Sequence, residues 1–295
     1  MAAFSMSQTL FAAAFLSAAW LAGAATAAEP GNPQAQRIVS IGGTITEILY
    51  HLGAQDRIVA RDSTSSFPAE VAAKPDVGYM RALSAEGILA QKPDLILMED
   101  GAGPPPVIEI LAASEIPVVV IATPPDADSI GRKIRDVGAV VGLSDKAEVL
   151  AAETERDLAA LAAEVAQIPT PRKSVLFVLS LSSGRVMAGG ADTEAGAIIA
   201  LAGGTNAAPG IKGYKPLSDE AVIAAQPQVI LSMQTNGDHR ITPEQVFTLP
   251  SLLATPAAAN KALVSMDGLL LLGFGPRTPQ AARMLAAQLY PGVIH

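Results

Sequence analysis

A repeated segment constrains the fold of this chain more than any other feature. "LSAEGILAQKPDLIL" begins at Leu83 and "LSDEAVIAAQPQVIL" begins at Leu217, a separation of 134 residues (217 minus 83). Leu, Ser, Glu, Ala, Pro, Ile and Leu recur at the same places without a gap. Each copy has the pattern of a helix that leads into a buried strand. The repeat therefore predicts two similar α/β halves produced by internal duplication.

Strand and helix patterns alternate in both halves of the chain. Between Arg37 and Thr123, four strongly apolar strand patterns are separated by helical ones, and the alternation resumes after Lys173. Such alternation is typical of mainly parallel sheets with helices on both faces. The expected fold class is therefore α/β, with two lobes of similar construction.

The region between the two halves contains no strand pattern and predicts a long helix. The expected division is an N-terminal α/β lobe over 37–142, a bridging helix over 143–168 and a C-terminal α/β lobe over 172–295. Two lobes joined in this way leave a cleft between them, and ligands of open α/β sheets bind beyond the carboxyl ends of the strands. Because one helix connects the lobes, we expect little closure on ligand binding.

Residues 1–28 differ in composition from the rest of the chain. "TLFAAAFLSAAWLAGAATAA" is apolar and uncharged and ends in small residues, which indicates a secretory signal peptide cleaved near Ala27 or Ala28. The alternative is an uncleaved membrane anchor, which the alanine-rich composition disfavours. The chain has no cysteine for lipid attachment. We therefore expect a soluble, monomeric periplasmic protein that is not a lipoprotein.

Charge and motif content exclude several classes of function. The net charge is −8, and no Lys/Arg cluster is present, so nucleic-acid binding is not expected. The sequence contains no H-E-x-x-H, G-x-S-x-G or G-x-x-x-x-G-K-[ST] motif. Its three histidines are widely separated, which disfavours a metal site built from histidine and cysteine. We expect a protein with no catalytic residues.

The stretch "VGYMRALSAEGIL", residues 77–89, resembles the haem-binding periplasmic proteins of bacterial haem-uptake ABC transporters. "RIVSIGGTITEILYHLG", "ARDSTSSFP" and "LLLLGFGPR" resemble segments of the same family in the same order. The resemblance extends from about Arg37 to Tyr290. It implies a carrier that captures haem and delivers it to an inner-membrane permease with its ATPase. A cobalamin or iron-siderophore carrier of the same fold is the alternative.

The resemblance implies that Tyr79 is an axial ligand of ferric haem iron. Tyrosine is a known haem ligand, and a nearby cation favours the phenolate that binds iron. Arg81, two residues later, is implied either to stabilise that phenolate or to pair with a haem propionate. Spacing alone would favour a tyrosine that packs against a neighbouring lobe.

The C-terminal half offers His239 and Arg240, which follow the strand pattern "VILSM". His239 is a candidate second iron ligand, and Arg240 is a candidate propionate partner. The residues themselves favour a polar surface loop for His239. Whether one haem or two bind, and which C-terminal groups take part, stays open.

The repeat places Glu86 and Glu220 at matching positions. A carboxylate in the first turn of a helix is stabilised by the helix dipole, which is explanation enough for each residue taken alone. The family resemblance implies a second role, in which one acid on each lobe docks onto the permease.

Overall fold

The computed structural model describes residues 32–182, 184–234 and 241–294. The predicted signal peptide therefore lies outside the described residues. The strands are β1 (Ile38–Ile41), β2 (Ile58–Arg61), β3 (Leu95–Glu99), β4 (Val118–Ile121), β5 (Ser174–Ser182), β6 (Arg185–Gly189), β7 (Thr205–Asn206), β8 (Tyr214–Leu217), β9 (Val229–Gln234) and β10 (Leu263–Asp267). The helices are α1 (Gly43–His51), α2 (Ala85–Leu89), α3 (Pro105–Ala112), α4 (Ala127–Val140), α5 (Ser144–Ala166), α6 (Glu194–Leu201), α7 (Asp219–Ala225), α8 (Pro243–Thr248), α9 (Pro250–Leu253), α10 (Pro256–Ala259), α11 (Gly268–Leu272) and α12 (Thr278–Leu289).

The first lobe is built on a four-stranded parallel sheet with the order β2-β1-β3-β4. Successive residues of β3 face opposite sides: Leu95 and Leu97 pack with α1 and α4, whereas Ile96 and Met98 pack with α2 and α3. Burial on both faces explains the nearly continuous apolar sequence of this strand. The predicted α/β lobe is observed.

The second lobe contains a sheet with the order β10-β9-β5-β6-β8, and β7 pairs with β5. Its parallel part, β5-β9-β10, has the same neighbour relations as β1-β3-β4 in the first lobe. This agreement supports the predicted duplication. Strands β6 and β8 run antiparallel, which the alternation pattern did not predict. Strand β8 is short and contains Pro216, as an edge strand can.

Two short helical regions are interrupted or irregular. Residues 242–253 form two helices, α8 and α9, because Leu249 precedes Pro250 and is extended, with ψ 123°. Ala69–Ala73 forms a 3-10 turn.

Helix α5 connects the two lobes, as expected, but is slightly shorter than the predicted 143–168. Its 23 residues span about 35 Å. Near its start, a Cβ on Gly138 of α4 would lie 2.2 Å from Ala147 Cβ, so the glycine permits close helix packing. Near its end, Glu164 pairs with Arg283 of α12. No helix in the described ranges is long and apolar enough to cross a bilayer.

Three polar contacts hold the carboxyl edges of the two sheets opposite each other. Thr44 Oγ1, just after β1, donates to the carbonyl of Gly273, 2.5 Å away. Lys133 Nζ of α4 donates to the carbonyl of Phe274 at 3.0 Å. Glu47 Oε2 of α1 lies 2.7 Å from Arg277 Nη2. Because both lysine and glutamate are buried, these contacts fix the base of the cleft.

We predict that Glu47→Ala destabilises the protein by about 3 kcal/mol, because it leaves the largely buried Arg277 without its carboxylate. Urea unfolding of the complete protein measures this change. The control is Asp157→Ala, which removes the carboxylate of the exposed Arg156–Asp157 pair and should cost less than about 0.5 kcal/mol. Equal effects of the two substitutions would contradict the interlobe role of Glu47.

Candidate functional site

The segment that contains Tyr79, residues 76–83 and here called the tyrosine segment, crosses the carboxyl edge of the first sheet. The N–H of Ser63, two residues after β2, donates to the carbonyl of Gly78 at 2.9 Å. The N–H of Gly103, four residues after β3, donates to the carbonyl of Met80 at 2.8 Å. The segment therefore lies at the edge that faces the other lobe, where α/β sheets bind ligands.

Tyr79 is presented to solvent from a firmly held backbone. Its neighbours Val77 and Met80 are buried in the core of the first lobe, whereas the tyrosine itself is 47% exposed. The carbonyl of Tyr79 accepts a hydrogen bond from the N–H of Ala82 at 2.7 Å. Burial of the flanking side chains fixes the position of the backbone and leaves the phenol accessible.

Gly78 gives the tyrosine segment its turn. Its φ is +97°, in the region that favours glycine, and its N–H donates to Asp76 Oδ1 at 2.8 Å. Asp76 Oδ2 in turn lies 2.5 Å from Arg61 Nη1 at the end of β2. The N–H of Gly78, the residue before Tyr79, is therefore linked to the end of β2 through the side chains of Asp76 and Arg61.

Arg81 lies two residues after Tyr79 and is also exposed. The structure therefore places Tyr79 and Arg81 on the same short segment at the cleft edge. His239 and Arg240, the candidates from the other lobe, lie outside the described residues.

The second lobe brings leucine side chains toward the first. Helix α11 has the sequence GLLLL and follows the carboxyl end of β10. A Cβ on Gly43 would lie 2.6 Å from Leu269 Cδ1, so the lobes touch at this point. Leu270 and Leu272 are partly buried. The base of the cleft is thus apolar on the side of the second lobe.

Two ionisable groups, the partly buried Glu99 and the buried Lys133, lie near this contact and were not predicted from the sequence. Glu99, at the end of β3, accepts a hydrogen bond from the N–H of Thr44 at 3.2 Å. Burial raises the pKa of Glu99, and the charge of Lys133 opposes that shift. Burial lowers the pKa of Lys133, and the negative charges of nearby acids, Glu99 first, oppose this shift. The helical period could have revealed Lys133, because Ile130, Ile134 and Val137 place it on the apolar face of α4.

Two other side chains of types that can bind iron or a propionate, Tyr214 and Arg277, are engaged by partners within the protein. Tyr214 donates to Glu194 Oε2 at 2.9 Å, and burial, followed by the charge of Glu194, raises the pKa of Tyr214. Arg277 pairs with Glu47 and lies over the ring of Phe67, 3.5 Å from its centroid. These contacts stabilise the fold, and Tyr79 is the most exposed of the four tyrosines.

Glu86 and Glu220 occupy equivalent positions in the two lobes. Both are exposed in the first turns of α2 and α7, behind the N-cap serines Ser84 and Ser218. Hydrogen bonds from its own N–H and from Ser218 lower the pKa of Glu220. Among the described residues, no cluster of three or more histidine, aspartate or glutamate side chains is arranged to hold a metal ion.

The chain is similar to known binding proteins over most of its length. A family model described as a periplasmic binding protein matches residues 38–269. The periplasmic haem-binding protein RhuT from Roseiflexus sp. RS-1, in its apo form, is 38% identical, with 88% of this chain and 99% of that chain covered and a TM-score of 0.83. The periplasmic haem-binding protein HutB of Vibrio cholerae is 33% identical, with 88% and 100% covered and a TM-score of 0.77. The vitamin B12-binding protein of Yersinia pestis (strain Pestoides F) is 27% identical over 259 residues, 86% of each chain.

We predict that Gly78→Ala destabilises the protein by about 1–2 kcal/mol, because alanine is strained at φ +97°. The space around the new Cβ is sufficient, since its nearest neighbour would be Ala82 O at 3.8 Å. Gly87→Ala in α2 is the matched control and should stabilise the protein by about 0.5–1 kcal/mol, because alanine favours a helix. Chemical denaturation of both variants measures these changes in the free energy of unfolding. An unchanged free energy of unfolding for Gly78→Ala would contradict the described turn.

Proposed function

The chain belongs to the periplasmic binding protein family, and we propose from this premise that it captures haem and delivers it to an inner-membrane ABC importer. Solved haem-binding proteins that are 33–38% identical and nearly completely covered support this cargo. The proteins of this family bind substrates for transport, so the proposed role requires no catalytic residue. The protein is proposed to act as a soluble monomer in the periplasm, after removal of residues 1–28.

The observation that carries the proposal is the placement of Tyr79. An exposed phenol stands on a restrained backbone at the edge of the sheet that faces the second lobe. Ferric iron is a hard cation, and a tyrosine oxygen is an established axial ligand of haem. Iron binding favours the phenolate form of a tyrosine. We assign Tyr79 as the iron ligand.

Arg81 supplies the nearest basic group on the tyrosine segment. Its guanidinium can lower the cost of the phenolate or form a bidentate pair with a haem propionate. The leucines of α11 would cover apolar porphyrin surface. His239 and Arg240 remain candidates for a second iron ligand and a propionate partner.

Cobalamin is the second candidate cargo, because the chain is 27% identical to a vitamin B12-binding protein. An iron siderophore is a further possibility within the same fold. Titration of the purified protein with haemin and with cyanocobalamin separates these cargoes. Tight binding of cyanocobalamin, together with absence of a protein-bound haem spectrum, would overturn the haem assignment.

The proposed partner is an ABC permease with its ATPase, and the proposed contacts are Glu86 and Glu220. These two exposed carboxylates lie at equivalent points of the two lobes and would orient the carrier on basic groups of the permease. Exposed charges of this kind mainly raise the rate of encounter and select the partner.

Tyr79→Phe should weaken haem binding by more than about 100-fold, because it keeps the ring but removes the oxygen that binds iron. Loss of a group that only supports a metal ligand already costs about 10- to 100-fold. Absorption titration with ferric haem should show a Soret band and high-spin charge-transfer bands for the native protein. These charge-transfer bands should be lost in the variant.

The control is Tyr50→Phe, which removes a phenol oxygen from the far end of α1 and should leave the spectrum unchanged. Native affinity and an unchanged spectrum for Tyr79→Phe would refute the ligand assignment.

The double variant Glu86→Gln and Glu220→Gln should retain native haem affinity but require about ten times more loaded carrier for half-maximal stimulation of the importer ATPase in liposomes. Glu153→Gln, which neutralises an exposed acid of α5, should behave like the native protein. Normal stimulation by the double variant would exclude these acids as docking contacts.

A further inference from the structure

We propose that Asp76 is a positioning residue for Tyr79 and that it links the backbone N–H of Gly78, the residue before the tyrosine, to Arg61 at the end of β2. This inference rests on the proposed function, in which Tyr79 binds iron. An iron ligand must be held in a productive position before the metal arrives, and residues behind the ligand provide that restraint.

The Asp76 carboxylate makes two different contacts with its two oxygens. Oδ1 accepts from the N–H of Gly78 at 2.8 Å, and Oδ2 lies 2.5 Å from Arg61 Nη1. The same Nη1 donates to the carbonyl of Asp62 at 3.2 Å. An ordinary surface ion pair joins only two side chains and contributes little. This one connects a cation that is 15% exposed to the backbone next to Tyr79.

The carbonyl of Gly78 is also held at the end of β2. It accepts a hydrogen bond from the N–H of Ser63 at 2.9 Å. The adjacent Asp62 is fully buried, and its carboxylate accepts from the N–H of Gly42 at 2.9 Å. It also accepts from the N–H and hydroxyl of Thr64 and from the hydroxyl of Ser65. The backbone at Ser63 is therefore held in place by the hydrogen bonds of its neighbour Asp62.

The carbonyl and the N–H of Gly78 are thus both held at the end of β2. The carbonyl is held by Ser63, next to the hydrogen-bonded Asp62, and the N–H is held by Asp76. Asp62 belongs to the folded core, whereas Asp76 is 43% exposed at its side chain, so replacement of Asp76 opens no cavity. Asp76→Ala also leaves Arg61, which is 15% exposed, without its carboxylate. Its effect on residues 76–83 is therefore compared with its effect on the rest of the chain.

The test compares Asp76→Ala with Asp76→Asn in the complete protein. Alanine removes both contacts, whereas the asparagine oxygen can still accept from the Gly78 N–H.

In haem-free protein, hydrogen exchange over residues 76–83 should be fastest for alanine and intermediate for asparagine. With ferric haem bound, release to a haem-scavenging apoprotein should accelerate by about tenfold for alanine and less for asparagine, because the binding-competent position of Tyr79 is less populated. The charge-transfer bands should broaden in the same order.

Asp157→Ala, which removes an exposed carboxylate remote in sequence, is the control and should change neither exchange over 76–83 nor haem release. Native exchange, or native haem release and spectrum, in Asp76→Ala would overturn the positioning role while Tyr79-dependent haem binding stands. The Tyr79→Phe titration tests the ligand assignment separately. If that variant binds haem like the native protein, the assignment of Tyr79 fails. The exchange measurement requires no haem and still decides whether Asp76 restrains the segment.

Discussion

The close contact between the two carboxyl edges is the constraint on which the rest of the structure depends. Lys133 reaches from α4 to the carbonyl of Phe274, and Glu47 of α1 pairs with Arg277 beyond α11. One apolar core also runs from the first lobe past α4 and α5 into the second. Buried charges tolerate little displacement from their partners. The lobes are therefore held at a defined separation.

On this base, the tyrosine segment combines a restrained backbone with an accessible side chain. Buried Val77 and Met80 flank the sequence that carries Tyr79, and Gly78 turns the chain so that the phenol remains exposed. A ligand that is fixed before binding loses little conformational entropy on contact with the metal. The same fold can serve different cargoes because such segments differ while the sheets and the bridging helix remain.

Local sequence patterns predicted the two lobes and the bridging helix because each depends on periodicity. They did not predict the antiparallel β6 and β8, because β6 follows β5 with no helix between them and the alternation of strands and helices does not hold there. The Glu47–Arg277 pair joins residues 230 positions apart, and no local pattern identifies such partners. Lys133 did carry a signal, a lysine on an apolar helix face. The ligand role of Tyr79 rests on chemistry and resemblance rather than on any local pattern.

The most direct measurement is a crystal structure of the complete protein with ferric haem bound. The account predicts a porphyrin between the lobes, with its iron within coordination distance of Tyr79 Oη and the tyrosine segment still bonded to Ser63 and Gly103. Haem held in the cleft by another iron ligand, with the Tyr79 ring turned away from the metal, would contradict it.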